Sequence, residues 1–201
     1  MANEYGTLSE LKRARKIPLS DTADDAALMR ALERASRAID DRCGVAGTGF
    51  YLAGSSSVRV FRTRGRVVPS DGDGEVLLVD AIGSTSGLTV STGDYQDSLA
   101  AVTNFTYEPL NAIATGLPVT GLLRTRSVWS KAYVSVTAAW GWPAVPPPIA
   151  EACVLLANRR FVRLSSPEGV AGWGNDGVIR ISRFDPDIED LVSPYVLPGF
   201  A

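Results

Sequence analysis

Apolar side chains recur at helical spacing near both ends of the chain. The clearest stripe has residues three and four positions apart, opposite a row of charged residues; its members are Leu28, Leu32, Ala35 and Ile39. Asp24 and Asp25 suit a first helical turn, where the helix dipole favours negative charge, and Gly44 suits a helix end. The pattern predicts a helix that starts near residues 20–22 and ends at Gly44.

A shorter helix is predicted before this one. Thr7 and Glu10 have the spacing of a capping box, in which each side chain accepts a hydrogen bond from the other residue's backbone amide. We expect this helix to end near Ile17, because Pro18 follows.

A long helix is predicted after the proline run 146–148, because proline is tolerated in the first helical turn. Its predicted apolar face comprises Ile149, Cys153, Leu156, Phe161 and Leu164. Three arginines lie toward its C-terminal end, where positive charge opposes the helix dipole; they are Arg159, Arg160 and Arg163. We expect the helix to end at Ser166-Pro167.

Between residues 45 and 142 the helical periodicity disappears, and short β-branched runs alternate with Gly, Ser and Thr. The candidate strands are 58–61, 76–79, 88–90, 105–108 and 131–140. The last is the clearest, since Val134, Val136 and Ala138 alternate with more polar residues. Turns are predicted at 70–74 and 91–94.

The segment after the long helix is predicted to protrude from the fold. It contains a glycine-rich loop at 169–174, a β-like run at 178–182 and a short helix that starts at Asp185-Pro186. We therefore expect an α+β fold, in which a small helical bundle of the N-terminal helices and the long C-terminal helix is interrupted by a β-rich insert. The expected divisions are 1–44, 45–142 and 143–201.

Composition narrows the functional classes. The 201 residues include no histidine, which excludes Ser-His-Asp and Cys-His nucleophilic sites and His-ligated zinc. A net charge of −2 argues against a dedicated nucleic-acid binder. Cys43 and Cys153 are too few for a disulfide framework, and we expect both to be reduced packing residues. No stretch suits a membrane span or a signal peptide, so synthesis and retention in a cytoplasm are expected.

The polar motifs favour structural roles. Asp71-Gly-Asp-Gly-Glu75 lacks the full ligand pattern of a calcium loop and is predicted to be a solvated turn. The glycine-rich segments 44–49 and 169–174 lack the strand-loop-helix order of a phosphate-binding loop. The acidic cluster 185–190 suits a helix N-terminus. We expect no catalytic site, metal or cofactor.

Two basic runs and several aromatic residues are candidates for contacts with other molecules. The runs are 12–16 and 59–66, and we favour solvated faces and pairs between subunits over DNA contact, because acidic residues balance the charge. Trp140 and Trp142 are expected in the core. Trp173 is flanked by glycines in a predicted loop, so docking against a neighbour is as plausible as burial.

Several segments together resemble the head-to-tail connector (adaptor) proteins of long-tailed bacteriophages, particularly those of actinobacterial hosts. The matching segments, in chain order, are 5–12, 21–40, 107–112, 139–146, 149–153, 166–172 and 178–186. They are spread over most of the chain, and none is a catalytic signature. The long insert exceeds what the smallest members of that family carry.

This resemblance implies an adaptor fold with a β-rich insertion, assembled as a ring, usually dodecameric, beneath the portal protein of the head. The implied partners are other copies of the chain, the portal, a tail-side stopper or tail-completion protein, and genomic DNA that passes through the lumen without sequence-specific binding. The implied location is the neck of the virion, after assembly in the host cytoplasm. Candidate docking residues are Gly169, Trp173, Val178, Ile179, Ile181, Phe184 and Tyr195.

Two alternatives stay open. One is another neck protein of the stopper or tail-completion type, which would differ in not binding the portal directly. The other is a carboxylate-based hydrolase that uses acids such as Asp71, Asp73 or Asp187. In the favoured interpretation, the run 178–182 could also add as a strand to a neighbour's sheet.

Overall fold

The computed structural model describes residues 4–45, 49–70, 74–165, 170–174, 177–180 and 186–196. The chain divides into two compact units, residues 1–49 with 145–201 and residues 50–144. The first is mainly helical and the second is a β-structure, so the α+β prediction is confirmed. The exact domain limits proposed from the sequence stay a prediction.

The helical unit begins with α1 (Leu8–Ala14) and α2 (Asp25–Cys43). The capping box of α1 is confirmed, since Thr7 Oγ1 accepts from the amide of Glu10 at 3.2 Å and Glu10 Oε2 accepts from the amide of Thr7 at 2.8 Å. Helix α2 begins later than predicted, because Asp21 Oδ1 accepts from the amide of Ala23 at 3.1 Å in a local turn. Gly44 ends α2 with a φ of 72°.

The β unit contains seven strands that pair antiparallel. They are β1 (Ser57–Arg62), β2 (Val67–Pro69), β3 (Gly74–Tyr95), β4 (Ser98–Val102), β5 (Thr106–Glu108), β6 (Val119–Thr125) and β7 (Tyr133–Trp140). The N-terminal half of β3 lies between β2 and β6, and its C-terminal half lies between β7 and β4. Strand β1 pairs with β7 and β5 pairs with β6, so the order along the sheet is β1-β7-β3-β6-β5.

Strand β3 corrects three predictions. The separate strands predicted at 76–79 and 88–90 belong to this one strand, and so does the turn predicted at 91–94. The Gly and Ser residues at 83–87 mark irregularities in the ladder with β7 instead of turns, since the register shifts between Ile82 and Ser84 and again between Ser84 and Thr89. The chain reverses after Tyr95, before β4.

The core of the β unit comes from alternate residues of the central strands. The alternation predicted for β7 is confirmed, because Val134, Val136 and Ala138 are fully buried. They pack with other buried residues, among them Phe61, Leu77, Ile82, Val119, Leu122, Trp129 and Trp140. Trp142 is half-buried, with its ring 5.1 Å from that of Phe50.

The helical unit resumes with α3 (Pro147–Ser165), which packs on α2 and α1. The stripe predicted for α2 is confirmed, since its four apolar members are buried. On α3 the fully buried face is Ile149, Ala152, Cys153 and Ala157. Leu156 and Phe161 are only half-buried, so the fully buried face of α3 consists mostly of smaller residues than predicted. Both cysteines are free and buried, as predicted.

The C-terminal segment differs from its prediction. Residues 170–174, expected in a glycine-rich loop, form β8 (Val170–Gly174), which pairs antiparallel with β9 (Gly177–Arg180). Residues 178–180 of the run predicted at 178–182 therefore lie in one strand of a hairpin and already have a partner on one edge, and residues 181–182 lie outside the described residues. The last helix, α4 (Pro186–Val192), packs on α3, and a short 3-10 turn, Ser193–Tyr195, follows it.

Candidate assembly surface

The acidic motifs at 71–75 and 185–190 make structural contacts through the residues that the structure describes. Glu75 Oε2 accepts from the backbone amide of Trp129 at 2.7 Å. Glu189 pairs with Arg42. Asp71, Asp73 and Asp185 lie outside the described residues. Within the described part of the chain, no group of His, Cys, Asp and Glu side chains is placed to hold a metal ion, and no helix has the length and apolarity needed to cross a membrane.

The basic run 12–16 is only partly the solvated face that the sequence predicted, since Arg13 and Lys16 are exposed but Lys12 and Arg15 are not. Lys12 is 3% exposed, and its Nζ lies 2.5 Å from Asp25 Oδ1 and donates to the carbonyl oxygen of Asp21 at 2.7 Å. Arg15 donates to Asn158 Oδ1 at 2.8 Å, and its guanidinium lies 4.6 Å from the centre of the Phe161 ring. Two of these basic residues therefore hold α1 against its neighbours, because the helix turns them inward.

The basic run 59–66 is exposed but partly neutralised within its own unit. Arg59 Nη1 lies 2.7 Å from Asp80 Oδ2, and Arg66 Nη1 lies 3.6 Å from Asp80 Oδ1. Arg59 and Arg66 also lie over the rings of Trp140 and Phe61, at 4.6 and 4.9 Å from the ring centres. The run therefore forms an exposed surface of β1 and the following turn. The carboxylate of Asp80 pairs with two of its arginines.

A different set of arginines converges on one cleft of the helical unit. The cavity measures about 260 Å³ and is lined by Ala27, Arg30, Ala31, Arg34, Arg160 and Arg163. We call it the arginine groove. Arg30 and Arg34 are one helical turn apart on α2, as Arg160 and Arg163 are on α3, so the packing of the two helices brings both pairs to one place. The alanines leave the cleft open between the long side chains.

The arginine side chains of the groove lie close together. The groove lining includes four guanidinium groups. Arg160 Nη1 donates to the carbonyl oxygen of Arg34 at 2.7 Å. Burial, followed by the positive charges of Arg34 and Arg163, lowers the pKa of Arg160. Arg34 and Arg160 also line another cleft together with Glu33 and Asp41, so carboxylates lie beside these two arginines.

The adjoining cleft shows how the same unit balances such charges. This second cavity, of about 230 Å³, shares Arg160 and Arg163 with the arginine groove and extends to Arg42 and Glu189. Arg42 Nε donates to Glu189 Oε2 at 3.1 Å, and a second bond joins Arg42 Nη2 to Glu189 Oε1. This pairing raises the pKa of Arg42, the opposite direction to that of Arg160.

Comparison with known proteins found similarity among solved structures. No protein-family model and no curated protein matches the sequence. Among solved structures, a chain in the "neck of empty GTA particle computed with C6 symmetry", the neck of a gene transfer agent, superposes with a TM-score of 0.54. The alignment has 16% sequence identity and covers 96% of this chain and 90% of that chain. The chain therefore shares the fold of that chain.

The predicted docking residues lie in the C-terminal segment. Trp173 of β8 and Val178 of β9 are register partners, and Ile179 follows in β9. Tyr195 is half-buried in the turn after α4. Gly169, Ile181 and Phe184 lie outside the described residues. The structure thus joins Trp173 and Val178 in one hairpin, and the docking role of all seven stays a prediction.

Sequence reasoning missed the arginine groove. It assigned the arginines of α3 to the helix dipole and placed those of α2 only in the row of charged residues opposite the apolar stripe. The available signal was the spacing of the two pairs, Arg30 with Arg34 and Arg160 with Arg163, on helices already predicted to share a bundle.

Proposed function

We propose that this protein is a structural, non-enzymatic subunit of the neck of a tailed bacteriophage or phage-like particle. In this role it forms a ring that joins the portal of the head to the tail and lets DNA pass. The match to the neck chain carries the proposal, because it covers 96% of this chain and 90% of that one. Such coverage concerns the whole architecture and not one shared module.

The ring itself is part of the proposal. The neck that contains the similar chain was computed with C6 symmetry, and a ring of six or twelve copies satisfies that symmetry. The dodecamer implied by the resemblance to phage adaptors is one of these. Each copy in a closed ring needs two different surfaces that complement each other, since the contacts run head to tail.

The remaining partners follow from the adaptor resemblance. We propose that the hairpin β8-β9 and the turn at Tyr195 dock on the portal or on the next tail-side ring, with Gly169, Ile181 and Phe184 from the same segment. We also propose that the adaptor is of the actinobacteriophage type, acts in the virion without a cofactor, and contacts the passing DNA without reading its sequence.

Gene deletion in the phage or element that encodes the protein tests the function. Without the protein, DNA-filled heads and separate tails should accumulate, and expression from a plasmid should restore joined particles. Mass spectrometry of purified particles should detect the protein, and electron microscopy should place it in the neck. Normal particles from the deletion strain, or particles that lack the protein, would refute the proposal.

A pull-down distinguishes an adaptor from a stopper-type neck protein. Purified portal rings should capture an adaptor directly, whereas a stopper should require another neck protein between them. A variant that lacks residues 169–182 should keep the circular dichroism of the intact protein but fail to bind portal. Unchanged portal binding by this folded variant would exclude the hairpin as the docking element.

A further inference from the structure

We propose that copies of this chain pair edge to edge through the β unit, with β4 of one copy beside β1 of the next. The pairing joins the sheets of neighbouring copies into one antiparallel sheet that continues around a ring. The inference rests on the proposed function, in which copies of the chain form a ring, and it adds the strands that make the contact.

Strands β1 and β4 are the two edges of one four-stranded part of the sheet. In this part β1 pairs with β7, β7 pairs with the C-terminal half of β3, and that half pairs with β4. In the part of the chain that the structure describes, no further strand pairs with β1 or with β4. Each of the two strands therefore has one edge that no other strand covers, and such an edge is a template for pairing with another chain.

The alternation of ladder hydrogen bonds identifies the backbone groups on the open edge of β1. The amide of Thr63, which continues β1, donates to the carbonyl oxygen of Ala132 at 3.1 Å. Along an antiparallel pair, residues that exchange hydrogen bonds with the partner strand alternate with residues that do not. Val60 is three positions before Thr63, so its amide and carbonyl point away from β7.

The same alternation continues across the sheet to β4. Ser135 of β7 lies opposite Val60 on one side and opposite Ser91 of β3 on the other, and Ser91 in turn is the register partner of a residue of β4, Ala101. Since Val60 does not bond with Ser135, the pair that exchanges hydrogen bonds is Ser135 with Ser91. Ser91 then does not bond with Ala101, whose amide and carbonyl point outward. One row of the sheet therefore ends in outward backbone groups at both edges.

The number of strands gives the two edges opposite directions. Neighbouring strands are antiparallel throughout this part of the sheet, so β1 and β4, which two strands separate, run in opposite directions. A rotation about an axis along the strands places β4 of one copy antiparallel to β1 of the next, in a head-to-tail contact that can close a ring. Val60 then lies opposite Ala101, where the two residues exchange both hydrogen bonds of an antiparallel pair.

The side chains of β4 suit an edge that another copy covers. Edge strands are commonly protected against pairing by charged residues or proline. Strand β4 contains neither, and its residues Ala100 and Ala101 are exposed. On the edge that β4 would meet, Val58 and Val60 are 62% and 45% exposed. The contact therefore brings small or apolar side chains together along both strands.

Charges at one end of the sheet complement each other. Arg62 lies in the same row as Gly93, at the end where β3 turns into β4, and Arg64 follows in the turn after β1. The turn between β3 and β4 carries Asp97. All three charged side chains are exposed, and none of them belongs to the six ion pairs of the described residues. Pairing of β1 with β4 brings the two arginines of one copy toward the carboxylate of its neighbour.

The width of the shared sheet fits a ring with an open lumen. Strands lie about 4.8 Å apart, so four strands add about 19 Å per copy, and six copies give a circumference of about 115 Å. Six is the smallest number of copies that satisfies the C6 symmetry of the similar neck. Barrels of roughly 16–18 strands already enclose an aqueous channel, and six copies contribute more strands than that.

Engineered cysteines test the pairing in particles from the deletion strain. Opposite residues that exchange hydrogen bonds have Cα atoms ~5.5 Å apart, within the ~4.4–6.8 Å that a disulfide spans. After mild oxidation, V60C/A101C should therefore give a ladder of covalent multimers of this chain in non-reducing gels. Within one copy the two positions are three strand spacings apart, about 14 Å, which excludes a bond inside the copy. The native Cys43 and Cys153 are free and buried.

Two controls define the register. V60C alone and A101C alone should give no ladder, because each then lacks its partner thiol. V58C/A101C places the cysteines diagonally across the contact, ~7–8 Å apart, and should give about tenfold less crosslinked product than V60C/A101C.

A proline variant tests the backbone hydrogen bonds. V60P removes an outward amide hydrogen and leaves the hydrogen bonds between β1 and β7 in place, so it should lower the yield of joined particles by about tenfold or more. The matched variant V60T keeps the amide and the β-branched shape and should give the wild-type yield. Circular dichroism of the purified variants checks that they are folded.

Four results would overturn the inference. They are the wild-type yield of joined particles from folded V60P, no ladder from V60C/A101C in particles that contain the protein, crosslinking to a protein of another mass, and a ladder from V58C/A101C in place of V60C/A101C. The third result would make another neck protein the partner, and the fourth would mean a different register. The proposed function survives all four; it fails, and the inference with it, if particles lack the protein or if its deletion leaves them joined.

Discussion

Replacing Lys12 by methionine should destabilise the helical unit by about 2–3 kcal/mol. The ammonium group lies 2.5 Å from Asp25 Oδ1 and donates to the carbonyl oxygens of Asp21 at 2.7 Å and Leu19 at 3.4 Å. Methionine is of similar length, so K12M removes the charge and its contacts without opening a large cavity. The variant separates the electrostatic role of Lys12 from its packing role.

The magnitude follows from the burial of the two partners. Breaking a fully buried ion pair costs ~3–5 kcal/mol, and a hydrogen bond to a charged group contributes ~1.5–3 kcal/mol. The side chain of Lys12 is 3% exposed but that of Asp25 is 26% exposed. Water can therefore solvate the carboxylate that K12M leaves behind, which places the expected loss below the range for a fully buried pair and in the upper part of the range for a charged hydrogen bond.

Urea unfolding followed by far-UV circular dichroism measures this loss. The matched control K16M makes the same substitution at an exposed residue of the same segment and should change the free energy of unfolding by less than ~0.5 kcal/mol. A double-mutant cycle with D25N should give a coupling energy of at least ~1 kcal/mol. Wild-type stability of K12M, or strict additivity of K12M and D25N, would refute the proposed role of the buried pair.

Three further predictions concern buried or crowded groups. Burial raises the pKa of Asp40, so the folded protein holds the carboxyl proton more tightly than the unfolded chain does. The wild type should therefore lose stability relative to D40N as the pH rises from the ordinary carboxyl pKa through the raised pKa. Parallel pH profiles of the two proteins in urea unfolding would contradict this. Burial raises the pKa of the Cys43 thiol to about 11, and Cys153 is fully buried. Both thiols should therefore react with a thiol reagent only after the protein unfolds. Rapid labelling of the native protein would contradict this. At Gly93 a Cβ would lie 2.1 Å from a backbone oxygen of β4, whereas at Gly87, with a φ of 69°, it would meet nothing within 4 Å. G93A should therefore lower the free energy of unfolding by ~3 kcal/mol and G87A by ~1 kcal/mol. Unfolding followed by tryptophan fluorescence measures both losses. Equal losses would show that β3 and β4 separate freely at Gly93.

Local signals predicted the helices well. The capping box at Thr7, the apolar stripe of α2 and its end at Gly44 depend on residues within a few positions of each other, so the sequence contains the information. The buried face of α3 was harder to predict. Whether Ala157 or Phe161 is fully buried depends on how closely a second helix approaches at each position. Hydrophobic size alone favours the larger residue, while helix packing selects the smaller one.

Long-range pairing explains the errors in the β unit and at the C-terminus. Strand β3 was divided into two because its Gly and Ser residues resemble turn signals, yet they lie where the ladder shifts register between different partner strands. The hairpin β8-β9 was missed because glycine weakens the local strand signal at 169–174, and only the pairing with residues 177–180 makes β8 a strand.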